Sequence, residues 1–300
     1  IRDSSTSRGL GDVYKRQLYD RPLVNDKNTT FDNLPEVCDI KLDEHQYAVI
    51  EQMAKERREF WLEFDIRNHF KLGPVKYHNV VASIKGTKYP DEYVIISGHL
   101  DAFDVATGGI DCGTGIGPMM EAARLIALSG AKPKRTILFI AFAGEEFGLL
   151  GAKAYARTHQ NELGKIANLF NRDGGPTPPI GISVPQAMYD DFVEICKPVK
   201  NINPDFPFEV KVAKPRKRPT STGGTDASVF AVEGVPTYGF TTDDIKGYNF
   251  SYGEIWHTER DLYTKNIPEY QEHTAVVTAI VALGVANLDK QLSREGMYKE

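Results

Sequence analysis

The feature that most constrains this chain is the way its apolar runs end. Tyr93-Val94-Ile95-Ile96 gives way to Gly98-His99-Leu100-Asp101, and Thr136-Ile137-Leu138-Phe139-Ile140-Ala141-Phe142 gives way to Gly144-Glu145-Glu146. Asp111 lies between them in a Gly-rich turn. Short continuous runs rich in β-branched and aromatic residues read as strands buried on both faces, the kind a mostly parallel sheet uses. In open α/β sheets ligands bind beyond the carboxyl ends of the strands. Acids and a histidine at those ends are therefore candidates for a site.

The pattern recurs downstream. Ile166-Ala167-Asn168-Leu169-Phe170 leads into Asn171-Arg172-Asp173-Gly174-Gly175, and the stretch from Glu254 to Asp261 carries His257-Thr258. His99, Asp111, Glu146, Asp173 and His257 thus fall on separate loops. Imidazole and carboxylate are the donors that a hard-to-borderline divalent metal takes. Solvated loop acids and a capped core histidine are the plain alternative. Five such loops in a chain with seven histidines disfavour it.

These residues resemble the co-catalytic zinc exopeptidases of the bacterial leucyl aminopeptidase and plasma glutamate carboxypeptidase type. That signature has a His-x-Asp loop, an Asp before a small Gly-rich turn, a Glu-Glu pair, an Asp after the next strand and a late His-Thr. Here they are His99-Leu100-Asp101, Asp111-Cys112-Gly113, Glu145-Glu146, Asp173 and His257-Thr258, in the same order, and the likeness covers about Lys76 to Leu292. Gly223-Gly224-Thr225-Asp226 resembles the Gly-Ser-Asp-His segment of the family. The resemblance implies a three-layer α/β/α zinc-peptidase (phosphorylase/hydrolase-like) fold with a mostly parallel central sheet. It implies two zinc ions, replaceable by cobalt or manganese. Asp111 would bridge them, His99 and Asp173 would complete one, and Glu146 and His257 the other. Glu145 would be the general base, taking a proton from the attacking water and returning it to the leaving amine. Asp101 would accept the proton of the outer ring nitrogen of His99 and fix its tautomer. Tyr248 or Tyr252 is the candidate donor to the developing oxyanion. One position departs from the pattern: the residue after the bridging Asp is usually Asp or Asn and is not itself expected to be a ligand, and here it is Cys112, which could tune the site or compete for a soft metal.

The reaction so implied is removal of one terminal residue from a peptide or dipeptide. A single-zinc glutaminyl cyclase and a catalytically silent binding or receptor ectodomain are the competing functions on this fold. Keeping every ligand and the base favours the peptidase. The motifs do not separate aminopeptidase from carboxypeptidase. The region from Ile180 to Pro219 and the Asp243 to Gly253 loop are expected to shape the pocket. A homodimer and a secreted or periplasmic setting are compatible with the resemblance, although no signal peptide stands in this chain.

The net charge of -5 argues against a nucleic-acid partner. No run of apolar residues is long enough for a transmembrane segment; the longest, Ala275 to Leu288, contains Thr278 and Gly284 and reads as a buried helix. Cys38, Cys112 and Cys196 have no paired spacing and suggest neither a disulfide framework nor a thiolate metal site.

Residues 1–17 read as a non-native segment, without periodicity and abruptly joined to the rest, and there is no starting Met, so the native N-terminus is expected to be missing. Residues 18–75 resemble the C-terminal remnant of a protease-associated domain plus a linker. Tyr47, Ile50, Met53 and Ala54 have helical spacing after Asp43-Glu44, and Phe60, Leu62, Phe64 and Ile66 alternate as in a strand. Residues 76–300 read as the peptidase domain. Its expected elements are strands Asn79 to Ile84, Tyr93 to Ser97, Thr136 to Ala143, Ile166 to Phe170, Phe208 to Val212 and Pro236 to Phe240, with Lys88 to Asp91 a turn. Between them come helices starting at Pro118, Leu149, Tyr189, Ala227 and Pro268. Lys214 to Arg218 is read as a solvated basic loop.

Overall fold

Helices and strands alternate along the chain, as a sheet layered with helices requires. A computed structural model describes residues 44–63, 65, 75–103 and 106–299. In order its elements are α1 (Glu44–Lys55), β1 (Val80–Ile84), β2 (Tyr89–His99), α2 (Gly113–Leu128), β3 (Arg135–Phe142), α3 (Leu150–Thr158), β4 (Ile166–Asn171), β5 (Pro179–Val184), α4 (Gln186–Cys196), β6 (Glu209–Val212), α5 (Ala227–Val232), β7 (Phe240–Thr242), α6 (Tyr252–Ile255) and α7 (Pro268–Ala286). The chain divides into two units. The larger holds Tyr77–Ala102, Thr107–Phe250 and Leu262–Glu300; the smaller holds Phe103–Ala106, Ser251–Asp261 and the described part of Ile1–Lys76.

In the larger unit β2 and β3 are the axis. One sheet runs β1-β3-β2-β4, with β2 parallel to both β3 and β4 and β1 antiparallel to β3. Side chains alternate along a strand, and here the alternation separates two cores. Val94, Ile96, Ile137 and Phe139 pack with Met119 and Ala122 of α2 and Val277 and Val281 of α7. Ile95, Leu138, Ile140 and Phe142 pack with Ala152 and Tyr155 of α3 and Val229 and Phe230 of α5. Helices therefore cover both faces, the three-layer arrangement expected, and every residue of β3 is buried.

A second sheet, β6-β5-β7, has β5 parallel to β6 and antiparallel to β7. The expected strand at Pro236 to Phe240 is displaced: β7 begins only at Phe240. The residues before it still lie along β4. The Leu169 amide donates to the Pro236 carbonyl, but the next rung is made by a side chain. The Asn168 carboxamide accepts from the Tyr238 amide and donates to the Tyr238 carbonyl, each at 3.0 Å. A side chain has replaced the strand ladder, so the two ladders are joined without forming one.

Three other differences have local causes. Residues Tyr89 to Asp91, expected in a turn, open β2, and the pairing register with β3 shifts between Tyr89 and Tyr93. β5 was not anticipated. Helix α2 starts at Gly113, placing Pro118 inside it. Proline cannot donate to the carbonyl one turn back; that carbonyl, of Thr114, accepts instead from Arg172 Nε at 3.0 Å.

In the smaller unit α1 matches the helical spacing. Phe60 to Glu63 form no strand, and Trp61 is 90% exposed; Phe64 and Ile66 lie outside the described residues, as do residues 1–17 and most of the stretch read as a protease-associated remnant. Among the described residues no helix is long and apolar enough to cross a membrane.

Candidate metal centre

The carboxyl ends of β2, β3 and β4 bring together four of the expected site segments in the larger unit. His99 is the last residue of β2 and is 1% exposed. Its Nε2 lies 2.9 Å from Asp111 Oδ1 and 3.5 Å from Asp173 Oδ1. Its Nδ1 donates to the backbone carbonyl of Asp101 at 2.8 Å. This corrects the expected partner: the Asp101 carboxylate stands 3.8 Å away. The carbonyl fixes the tautomer equally well, leaving Nε2 to face the acids.

The Asp101 carboxylate has a different task. Its two oxygens accept from the backbone amides of Glu145 at 3.0 Å and Glu146 at 3.1 Å. The turn after β3 is thereby tied to the loop after β2. Glu145 and Glu146 sit with His99 as one of the groups whose donor atoms all lie within 4.8 Å; His99, Cys112 and Asp173 form another.

The loop after β4 is held by a residue that sequence reasoning passed over. Arg172 donates to the carbonyls of Thr114, Gly175 and Thr177, and its own amide donates to the Ser97 carbonyl. These bonds set Asp173 beside His99. Burial lowers the guanidinium to about 10. An Arg beside a candidate ligand, straight after an apolar strand, was the available signal. Asn171 adds a second tie, accepting from Ser97 Oγ at 2.7 Å and donating to Thr225 Oγ1 at 2.6 Å. Thr225 precedes Asp226, which is wholly buried.

The electrostatics is that of anions short of a cation. Burial, then Asp173, raises the Glu145 carboxyl to about 8. Burial, then Asp111, raises Glu146 to about 8. Asp226 goes to about 7, again chiefly through burial. Burial opposes a charged His99, yet Cys112, Asp111 and Asp173 together hold it well above the ordinary histidine range. Burial likewise works against an ionised Asp173, but its bonds to His99 bring it below the usual value. His99 Nε2 thus faces two carboxylates directly, at 2.9 Å from Asp111 and 3.5 Å from Asp173. The donor types, their burial and this charge imbalance all fit a divalent ion.

His257 belongs to the smaller unit. Its ring is buried and stacks on Phe103 at 4.1 Å and on Trp256 at 3.9 Å between centroids. Its φ is 58°, a left-handed conformation uncommon outside glycine and one that clusters at functional sites. Tyr252, half-buried, opens α6 in the same unit. Tyr248, in the larger unit, is exposed, and its hydroxyl donates to Glu269.

The model of Peptidase family M28 matches residues 79–281, and the chain belongs to that family. It is 31% identical over 236 residues to carboxypeptidase Q of Rattus norvegicus, an alignment covering 75% of this chain and 46% of the relative. The chain thus spans less than half the length of that protein. A solved peptidase M28 precursor from Shewanella amazonensis superposes with a TM-score of 0.68 at 27% identity, over 87% of this chain and 57% of the other. A zinc aminopeptidase from Bacillus subtilis shares the fold, with a TM-score of 0.53 at 19% identity over 74% of this chain and 53% of the other.

Proposed function

We propose that this chain carries the metal centre of a zinc exopeptidase that hydrolyses a terminal bond of peptides or dipeptides. His99, Asp111, Glu146, Asp173 and His257 would hold two zinc ions, with Asp111 as the ligand they would share; cobalt or manganese would suit the same donors. The observation that carries this is the buried set of carboxylates around His99, with Glu145 and Glu146 both raised to about 8. When bound, the metal supplies Lewis acidity to the scissile carbonyl and lowers the pKa of the attacking water.

The chain's own residues do the rest. Glu145, adjacent to a ligand but free of that duty, takes the proton from the attacking water and returns it to the leaving amine nitrogen. A carboxylate beside the attacking water can accept that proton and release it again. Asp101 acts as a positioning residue: by holding both amides of the pair it keeps Glu145 and Glu146 in fixed and different orientations. A cyclase or a silent binding module would be expected to lose a ligand or the base, and all are present here. Secretion or periplasmic export is the setting consistent with this activity.

The test uses the two glutamates side by side. Glu146→Gln removes a charged ligand, so bound metal and activity fall together. Glu145→Gln keeps the ligands, so metal stays bound while turnover falls by roughly a hundredfold to ten-thousandfold, the usual worth of a positioned base. Assays on dipeptides and on peptides blocked at either end identify the terminus read. Equal metal loss in both variants, or near-normal turnover in Glu145→Gln, would overturn the assignment.

A further inference from the structure

The position after Asp111 is where this chain departs from the pattern it otherwise follows, and the structure shows where that thiol goes. Cys112 is 2% exposed, and its Sγ donates to the Arg172 carbonyl at 2.9 Å. It therefore lies under the loop that delivers Asp173, not out in the helix α2 that follows it. Two glycines make the room. A Cβ on Gly115 would come within 2.6 Å of Sγ, and one on Gly98 within 3.1 Å. The sulfur, a nitrogen of His99 and a carboxylate oxygen of Asp173 all lie within 4.8 Å of one another. The same neighbourhood holds Asp226, 0% exposed, with neither carboxylate oxygen hydrogen-bonded among the described residues. Its carboxyl is influenced by His99 and Asp173. The pocket is thus short of positive charge independently of the thiol.

We propose that Cys112 is a sulfur ligand of the His99–Asp173 half of the metal centre. With Asp111 the half-site then has one nitrogen, two carboxylates and one thiolate. Four protein donors close a tetrahedral zinc shell, whereas a catalytic zinc keeps a position open. This half-site would therefore hold its ion as a fixed charge with a preference for softer metals such as cadmium. Binding breaks the S–H bond and forms the sulfur–metal bond. One proton leaves to solvent for each ion, the Arg172 carbonyl gives up its donor, and nothing is oxidised or reduced.

The inference rests on the metal-centre reading above, and the experiment keeps the two apart. The full chain is loaded with zinc, its metal content is measured, and X-ray absorption at the zinc edge is recorded. A sulfur scatterer at about 2.3 Å is expected. It should persist in the Cys38→Ser/Cys196→Ser variant, where Cys112 is the remaining thiol, and vanish in Cys112→Ser. Cadmium loading gives a second readout: a thiolate-to-metal charge-transfer band in the ultraviolet, lost in Cys112→Ser. Should Cys112→Ser fail to fold, the spectrum of the double variant decides alone. Bound zinc with only nitrogen and oxygen neighbours would overturn the sulfur ligand and leave the metal centre standing. A chain that retains no zinc would overturn both.

Discussion

His99 and His257 are both buried, yet they are placed by opposite means. His99 ends a strand paired on both sides, its Nδ1 is fixed by a backbone carbonyl, and its Nε2 faces two carboxylates. His257 sits in the smaller unit at a φ of 58° and is flanked by the rings of Phe103 and Trp256. One imidazole is positioned by the sheet, the other by a strained loop with aromatic support. The first should be inseparable from the fold, the second separable.

Substitution is the strongest way to break that contrast. His99→Ala leaves Asp111 and Asp173 facing each other with no cation between them, so it should abolish metal binding at its half-site and lower the melting temperature of the metal-free chain. His257→Ala keeps the left-handed backbone, which alanine adopts no more easily than histidine, and removes a ring stacked on Phe103 and Trp256 but no strand contact. It should cost one metal ion per chain and the activity while lowering the metal-free melting temperature less than His99→Ala does. Metal stoichiometry and thermal unfolding of both variants check this, and a large loss of stability in His257→Ala would erase the distinction.

Arg172 tests whether the site depends on the fold behind it. Three carbonyls receive its guanidinium. Arg172→Leu orphans buried acceptors at a cost of about 3 kcal/mol in all, a fall of several degrees in melting temperature. Metal affinity should fall with it, because Asp173 follows directly. A variant of normal stability would mean that water satisfies those carbonyls.

Much of this was legible because strand ends are marked twice, by the stop of an apolar run and by the chemistry that follows it. β2, β3 and β4 and the ligands beyond them were readable for that reason. What was not legible depends on single side chains acting at long range. Nothing local says that the Asn168 carboxamide replaces a rung of ladder beside Tyr238, or that Arg172 fills the bond Pro118 leaves empty and so lets α2 begin at Gly113. β5 reads Pro-Ile-Gly-Ile-Ser-Val, and a proline and a glycine within one short run hide a strand. The same limit applied at the site: spacing placed Asp101 near His99, but only the fold shows its carboxylate turned to the Glu145 and Glu146 amides.

A smaller effect follows from the crowded carboxyls. In the metal-free fold Glu145 and Glu146 are raised to about 8 and Asp226 to about 7, whereas the unfolded chain releases these protons near pH 4. Between those limits the folded state binds more protons than the unfolded state, so stability falls as pH rises. His99, also raised, acts in the same direction above its ordinary value. Asp173, lowered, acts only at acid pH. The melting temperature of the metal-free chain should therefore decline from about pH 5 to about pH 8. With zinc bound the charged forms are favoured and the decline should flatten. Parallel curves with and without zinc would show that these carboxyls do not face the metal.

The smallest expected effect separates the two tyrosines and again sets the larger unit against the smaller. An oxyanion donor is worth roughly a hundredfold to a thousandfold in turnover. Tyr248 is 54% exposed, and its hydroxyl is already donated to Glu269, which also pairs with Lys246. Exposed pairs of this kind contribute little to stability. To serve an oxyanion the hydroxyl would first have to leave a carboxylate, a stronger acceptor than a peptide carbonyl in its ground state. Tyr252 is half-buried, opens α6 and lies five residues before the candidate ligand His257. Tyr248→Phe should therefore change turnover by less than about tenfold and leave the Michaelis constant and metal content alone, while Tyr252→Phe should show the loss expected of an oxyanion donor, mainly in turnover. The reverse ranking in steady-state kinetics would mean that substrate draws Tyr248 away from Glu269, and that the donor comes from the same unit as the base.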